Sequence, residues 1–83
     1  MQSMTDDQII KIINDPKSTV LQVLELFGKC VGDMSYAVTL EFRQWFVWSN
    51  NDDLINFWEG YYEGGWSHKH MIDVLWSLQC DFR

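Results

Sequence analysis

The stretch Thr19–Val31, which reads TVLQVLELFGKCV, carries the clearest structural pattern in the chain. Its apolar residues return every three or four positions, so a helix gathers them on one broad side. The polar residues Gln22, Glu25 and Lys29 share the same spacing and form a narrow stripe opposite. This pattern predicts a helix with a wide buried face, and therefore other elements that cover it. The apolar positions are Val20, Leu21, Val23, Leu24, Leu26, Phe27, Cys30 and Val31.

On the N-terminal side, a second helix is predicted over about residues 6–14. Thr5 and Gln8 have the spacing of a capping box, in which each side chain bonds the other residue's backbone amide. The segment NDPKS then separates the two helices. Within it Asp15 is suited to a cap and Pro16 to the first helical position, so we expect the helix of the opening stretch to begin there.

On the C-terminal side, the pattern predicts two further helices. The polar run SNNDD interrupts the chain and can cap a helix over about residues 52–63. Gly64 and Gly65 follow, and glycine commonly ends a helix. Ser67 can then cap a last helix over about residues 68–80, whose apolar positions again recur at helical spacing.

Residues 36–48 have the one ambiguous pattern. In YAVTLEFRQWFVW the apolar and polar residues largely alternate, which is typical of a strand. No other segment predicts a strand, however, and a lone strand leaves its backbone groups unpaired. A tight hairpin is disfavoured because FRQW lacks the turn residues that it needs. We therefore favour a helix and retain a strand as the alternative. The predicted fold is all-α, one compact domain spanning 1–83 and built from about five short helices.

Charge limits the partners that this chain can bind. It has 83 residues, twelve acidic and six basic, with a net charge of −6. Direct nucleic-acid binding and binding to an anionic membrane surface both require clustered positive charge, which the sequence does not offer. No apolar run reaches the roughly 18 residues typical of a membrane span, and no secretory leader pattern is evident. We expect a cytoplasmic protein whose partner is a basic protein.

No residue pattern predicts catalysis, a metal site or a cofactor. His68 and His70 form an HxH pair, but on a helix their side chains point about 200° apart. Cys30 and Cys80 lack CxxC spacing, so a disulfide between them is possible but not required. Nucleophile-elbow and phosphate-loop motifs are not evident in the sequence. We expect a protein that is not an enzyme.

The candidate binding face lies between Asn50 and Gly65, where four acids occur without a base. Three of the acids recur at helical spacing and crudely resemble a phosphate backbone. Two aromatic residues accompany them, and Tyr and Trp are favoured at binding hot spots. The alternative is a solvated acidic face with both rings in the core. The candidate partner-binding residues are Asp52, Asp53, Glu59, Tyr62, Glu63 and Trp66.

In length, acidity and helicity the chain is similar to small acidic inhibitors, such as immunity proteins of bacteriocin systems and phage proteins that block defence nucleases or mimic DNA. The first hypothesis is accordingly a binding protein that inhibits a basic nucleic-acid-handling protein. The second is a homo-oligomeric assembly protein that pairs through YAVTLEF, which makes a homodimer one candidate state. A helical transcription regulator is the poorest fit, because a recognition helix usually offers Arg, Lys, Asn or Gln to the bases.

Overall fold

A computed structural model describes residues 4–83 and folds them into five α-helices. The all-α prediction is confirmed, and residues 4–83 contain no strand. The helices are α1 (Asp6–Asn14), α2 (Val20–Cys30), α3 (Tyr36–Val47), α4 (Asp52–Tyr62) and α5 (His68–Asp81).

Each helix begins at a residue whose side-chain oxygen accepts a hydrogen bond from the first turn. These oxygens satisfy backbone amides that have no partner within the helix. The predicted Thr5–Gln8 capping box is present at the start of α1. Because every start is capped in this way, loops of only a few residues can separate the helices. The capping residues are Thr5, Thr19, Ser35, Asn51 and Ser67.

The predicted start of α2 at Asp15 and Pro16 is wrong. Asp15 closes a turn instead, since its carbonyl accepts a bond from the Ser18 amide at 3.0 Å. The helix begins after Thr19, which forms a second capping box with Gln22. The Thr19 amide donates to Gln22 Oε1 at 2.8 Å, and the Gln22 amide donates to Thr19 Oγ1 at 3.1 Å. Two satisfied amides favour this start over a proline start.

The ambiguous segment 36–48 folds as helix α3, as favoured from the sequence. Val38, Phe42 and Phe46 are buried, and their spacing of four places them on one side of the helix. The remaining apolar residues of the alternation, Tyr36 and Leu40, are exposed. The strand-like pattern thus arises from one narrow buried stripe and a second apolar strip on the surface.

Phe27 of α2 lies at the centre of the core. Its ring makes edge-on contacts with Phe42 and Phe46 of α3, at centroid distances of 5.2 and 5.3 Å. It makes similar contacts with Phe57 and Trp58 of α4, at 5.7 and 6.2 Å. Edge-to-face pairs are favoured over face-to-face sandwiches because aromatic rings have a negative face and a positive edge. One side chain therefore joins three helices.

The helices surround this centre in the order α1, α3, α4, α5, α2, and α2 packs again on α1. The Cα radius of gyration is 12.1 Å, close to the roughly 12 Å expected for a compact chain of this length. Over residues 4–83, no helix is long and apolar enough to cross a membrane. The arrangement leaves one side of every helix exposed, and the outer side of α4 carries the candidate binding residues.

Candidate functional site

The inner side of α4 is anchored in the core. Leu54, Phe57 and Trp58 are buried at helical spacing. At the start of the helix, the Asn51 side chain accepts bonds from the amides of Asp53 and Leu54, at 2.9 and 3.2 Å. This anchoring fixes which residues of α4 face outward.

An acidic stripe, consisting of Asp52, Glu59 and Glu63, runs along that outer side. All three side chains are exposed, and the helical period places them on one face. Asp53 is exposed as well but lies on one flank of the stripe. None of the four acids has an ion-pair partner within residues 4–83. The stripe therefore presents uncompensated negative charge.

The two ends of the stripe differ in their effect on the helix. Asp52 lies in the first turn, where the helix dipole favours negative charge. Glu59 lies in the last turn and Glu63 at the C-cap, where the dipole disfavours it. These two glutamates are also like charges at i and i+4, a spacing that destabilises a helix by a few tenths of a kcal/mol. Within residues 4–83, Glu59 and Glu63 form no ion pair that would stabilise the fold.

Tyr62 borders the stripe on its α3 side. Its ring stacks on Trp58 with centroids 4.0 Å apart and an interplanar angle of 18°. Trp58 in turn stacks on Phe46 of α3 at 5.5 Å. Tyr62 is 38% exposed, so one part of the residue is packed and another is accessible. Burial, and to a smaller extent neighbouring Tyr61, raises the pKa of Tyr62 to about 12.

Trp66 lies on the opposite flank of α4 and is partly buried. Its amide donates to the Gly60 carbonyl at 3.1 Å, and its indole ring covers Gly60 so closely that a Cβ there would overlap it. The ring also meets Phe57 and His70 edge-on, at centroid distances of 6.2 and 4.7 Å. Gly65, with φ of +74°, makes the turn that returns Trp66 to the helix. Trp66 therefore contributes packing, and Tyr62 is the more accessible ring.

The structure also exposes aromatic residues outside this set. Tyr36 is 79% exposed, Trp48 77% and Trp76 58%. On a helical wheel of α3, Trp48 lies away from the face that holds Val38 and Phe42, and this position predicts that it is exposed. Trp48 lines a groove between α1, α3 and the start of α4.

The cysteines and histidines do not assemble into a metal site. His68 and His70 are exposed at the start of α5. Cys30 and Cys80 are free thiols, and burial raises the pKa of Cys30, which packs against the core. Within residues 4–83, no group of three or more His, Cys, Asp and Glu side chains could hold a metal ion.

Comparisons with known proteins add no family to this picture. Neither protein-family models nor curated proteins nor solved structures match the chain. The functional argument therefore depends on the geometry of the acidic stripe and its flanks.

Proposed function

We propose that this protein is a non-enzymatic inhibitor of a basic nucleic-acid-handling protein, such as a nuclease, a phage-defence complex or a toxin. The acidic stripe of α4 docks on the partner's nucleic-acid-binding surface and occludes it. The observation that carries the proposal is the position of Glu59 and Glu63, exposed and without ion-pair partners in residues 4–83, at the end of α4 where negative charge is unfavourable.

Docking on a basic partner would offset this repulsion, because the negative groups at the end of α4 would then face positive charges. Glu59 and Glu63 repel each other and the carbonyl end of α4 in the free protein. Lysine and arginine side chains of a nucleic-acid-binding groove would compensate both repulsions. Complementary charge of this kind accelerates association and makes it sensitive to salt. Docking on a basic partner would therefore account for a glutamate pair at this end of the helix.

The length of the stripe is similar to that of a short run of phosphates. Asp52 and Glu63 are eleven residues apart, which corresponds to about 16 Å along the helix axis. Measured along a DNA duplex, this distance covers roughly five nucleotide steps of 3.4 Å in one strand. Tyr62, stacked on Trp58, offers an accessible ring beside the carboxylates that can fix the register of docking.

Affinity capture from a cell lysate with three immobilised proteins tests the proposal. The baits are the wild-type protein, the E59K/E63K variant, and an E25K/D33K control with the same change of net charge on another surface. Glu25 and Asp33 are exposed, like the glutamates of the stripe. We expect wild type and control to recover the same basic nucleic-acid-binding protein at low salt. The E59K/E63K bait should lose it, and a duplex oligonucleotide should release it from the wild-type bait.

Two results would contradict the proposal in different ways. Equal recovery on the wild-type and E59K/E63K baits would place the binding site elsewhere. Recovery of a partner that a duplex oligonucleotide cannot displace, even at a hundredfold excess of duplex, would refute occlusion of a nucleic-acid-binding surface. Circular dichroism of all three baits confirms that each variant keeps the helical fold.

A second candidate function is self-assembly through α3. Tyr36 is 79% exposed, and Leu40, one turn further along, is also exposed. An exposed apolar strip on a helix can bury itself against a second copy of the same strip across a two-fold axis. Sedimentation equilibrium distinguishes this candidate: it predicts a dimer that Tyr36→Lys dissociates, whereas a monomer across the micromolar range excludes it.

A further inference from the structure

A groove lies between α1, the C-terminal half of α3 and the start of α4. Its volume is about 390 Å³, within the range of roughly 300–1,000 Å³ that is usual for small-ligand sites. One wall consists of Glu41, Gln44, Trp45 and Trp48, spaced by three and four residues on one face of α3. Two indole rings and a carboxylate therefore share one concave surface.

Glu41 supplies the charge of the groove. It is partly buried, and among the residues of the described range 4–83 that line the groove it is the one that is charged. The Asn14 side-chain amide donates to Glu41 Oε2 at 3.1 Å, which orients the carboxylate from α1. No lysine or arginine pairs with it within residues 4–83, and its Oε1 has no hydrogen-bond partner there. The carboxylate is thus held in place with one oxygen available.

Trp48 supplies an accessible aromatic surface in the same groove, about two helical turns after Glu41. It is the C-cap residue of α3, and its amide donates to the Gln44 carbonyl at 2.9 Å, so its backbone is fixed. Trp48 is nevertheless 77% exposed, a large apolar area left in water. Trp45, further inside, packs edge-on against Phe46 at 5.0 Å. Because its backbone is fixed and most of the residue is exposed, Trp48 can stack on a planar ligand group.

We propose that this groove binds an arginine side chain of a partner protein. A guanidinium group is planar and always charged, and it stacks on tryptophan while it bonds a carboxylate. Its five N–H donors also exceed what Glu41 alone accepts, and the exposed side chain of Gln44 lines the same groove. A lysine ammonium has three donors and no plane to stack, so it matches this surface less well.

This inference shares with the proposed function only the positive charge of the partner. The two sites meet at the first turn of α4, where Asn51 lines the groove and Asp52 begins the acidic stripe, but Glu59 and Glu63 lie at the other end of that helix. A direct ligand titration can therefore support or refute the groove whether or not the protein inhibits a nucleic-acid-handling partner.

The test is an NMR titration of the ¹⁵N-labelled protein with a hexa-arginine peptide. Each of the five tryptophans gives one indole N–H signal, and single Trp-to-Phe variants assign them. We expect the Trp48 and Trp45 signals to shift. Trp48→Ala should weaken binding at least about tenfold, equivalent to about 1.4 kcal/mol. Glu41→Gln should weaken binding by a similar factor, because it removes the negative charge. The substitution keeps a side-chain oxygen that can accept the hydrogen bond from Asn14.

Matched variants control for general loss of an aromatic ring or of negative charge. Trp76→Ala removes another exposed tryptophan, on α5, and Glu25→Gln removes another exposed carboxylate, on α2. Both should leave the affinity within about twofold of wild type, and hexa-lysine should bind at least fivefold more weakly than hexa-arginine. The E59K/E63K protein should still shift the Trp48 signal, even if it has lost a captured partner.

Several results would overturn the assignment. Equal losses in Trp48→Ala and Trp76→Ala would indicate diffuse attraction to an acidic protein. Equal affinity for hexa-lysine would refute recognition of the guanidinium group. Concentration-dependent shifts of the Trp48 signal without peptide would show that a second copy of the chain occupies the groove.

Discussion

Replacing Gly60 with alanine tests the packing of Trp66 against α4. In the interior of a helix, alanine is normally more favourable than glycine by about 0.5–1 kcal/mol. Here a Cβ at residue 60 would lie 2.8 Å from Trp66 Cη2. It would also overlap Cζ2 and Cε2 of the same ring. The indole must therefore move away from Gly60, which disturbs its edge contacts with Phe57 and His70.

The magnitude follows from two opposing contributions. Overpacking of this kind costs about 1–3 kcal/mol, and the helix propensity of alanine offsets about 0.5–1 kcal/mol of that cost. We expect Gly60→Ala to lower the free energy of unfolding by up to about 2.5 kcal/mol. In a Trp66→Ala background the overlap is absent, so the same substitution should raise the free energy of unfolding by about 0.5–1 kcal/mol.

Urea unfolding followed by far-UV circular dichroism measures all four proteins of this double-mutant cycle. Circular dichroism is preferred to fluorescence because one variant lacks a tryptophan. The two backgrounds should differ by a coupling energy of about 1–3 kcal/mol. An effect of Gly60→Ala with the same sign and size in both backgrounds would refute the close approach of Trp66 to Gly60.

Three further predictions concern the core and the two kinds of titratable group whose pKa is shifted. Phe27→Ala should lower the free energy of unfolding by about 3–5 kcal/mol, because the ring joins three helices, and calorimetry should show a large fall in Tm. The pKa of Tyr62 is about 12 in the folded protein against about 10 in an unfolded chain. The unfolded state therefore loses this proton first, so the contribution of Tyr62 to stability should be constant below about pH 10 and fall as the pH rises from about 10 to about 12. Tyr62→Phe should make that fall shallower in urea titrations at successive pH values. Cys30 should react with iodoacetamide more slowly than Cys80 in the native protein, because burial limits its access and raises its pKa, and mass spectrometry of the labelled peptides measures both rates. Equal rates would contradict the burial of Cys30.

Helix α3 shows why a period-two pattern can belong to a helix. Its buried face consists of Val38, Phe42 and Phe46, only three positions, and Leu40 between them is exposed. Exposed Tyr36 and Leu40 fill in the alternation that is typical of a strand. The hydrophobic pattern of a sequence does not distinguish buried from exposed apolar residues. An apolar strip on the surface therefore obscures the period of the buried face.

The start of α2 could have been predicted from local chemistry alone. Thr19 and Gln22 repeat the Thr5–Gln8 spacing, and both pairs form capping boxes. Pro16 is compatible with a first helical position, but it offers no hydrogen bond to the first turn. A reciprocal pair of side-chain bonds is the stronger signal, and it should take precedence over proline when both occur within a few residues.

The flanks of the candidate site depend on contacts that a linear pattern does not encode. The outward position of Asp52, Glu59 and Glu63 follows from the helical period, and the structure places all three on the exposed face. The ring of Trp66, in contrast, returns to Gly60 through a turn at Gly65. Whether a loop ring packs or stays free is decided by that tertiary contact, so Tyr62 and Trp66 looked equivalent in the sequence.

The central position of Phe27 has a consequence for the order in which this chain can fold during synthesis. A ribosome makes α1 and α2 first, yet the rings that enclose Phe27 belong to α3 and α4 and extend to Trp58. A nascent chain that ends before Trp58 cannot complete this cluster, and isolated helices of nine to twelve residues are marginal in water. Stable structure should therefore form only when most of the chain has left the ribosome, in one late event rather than helix by helix.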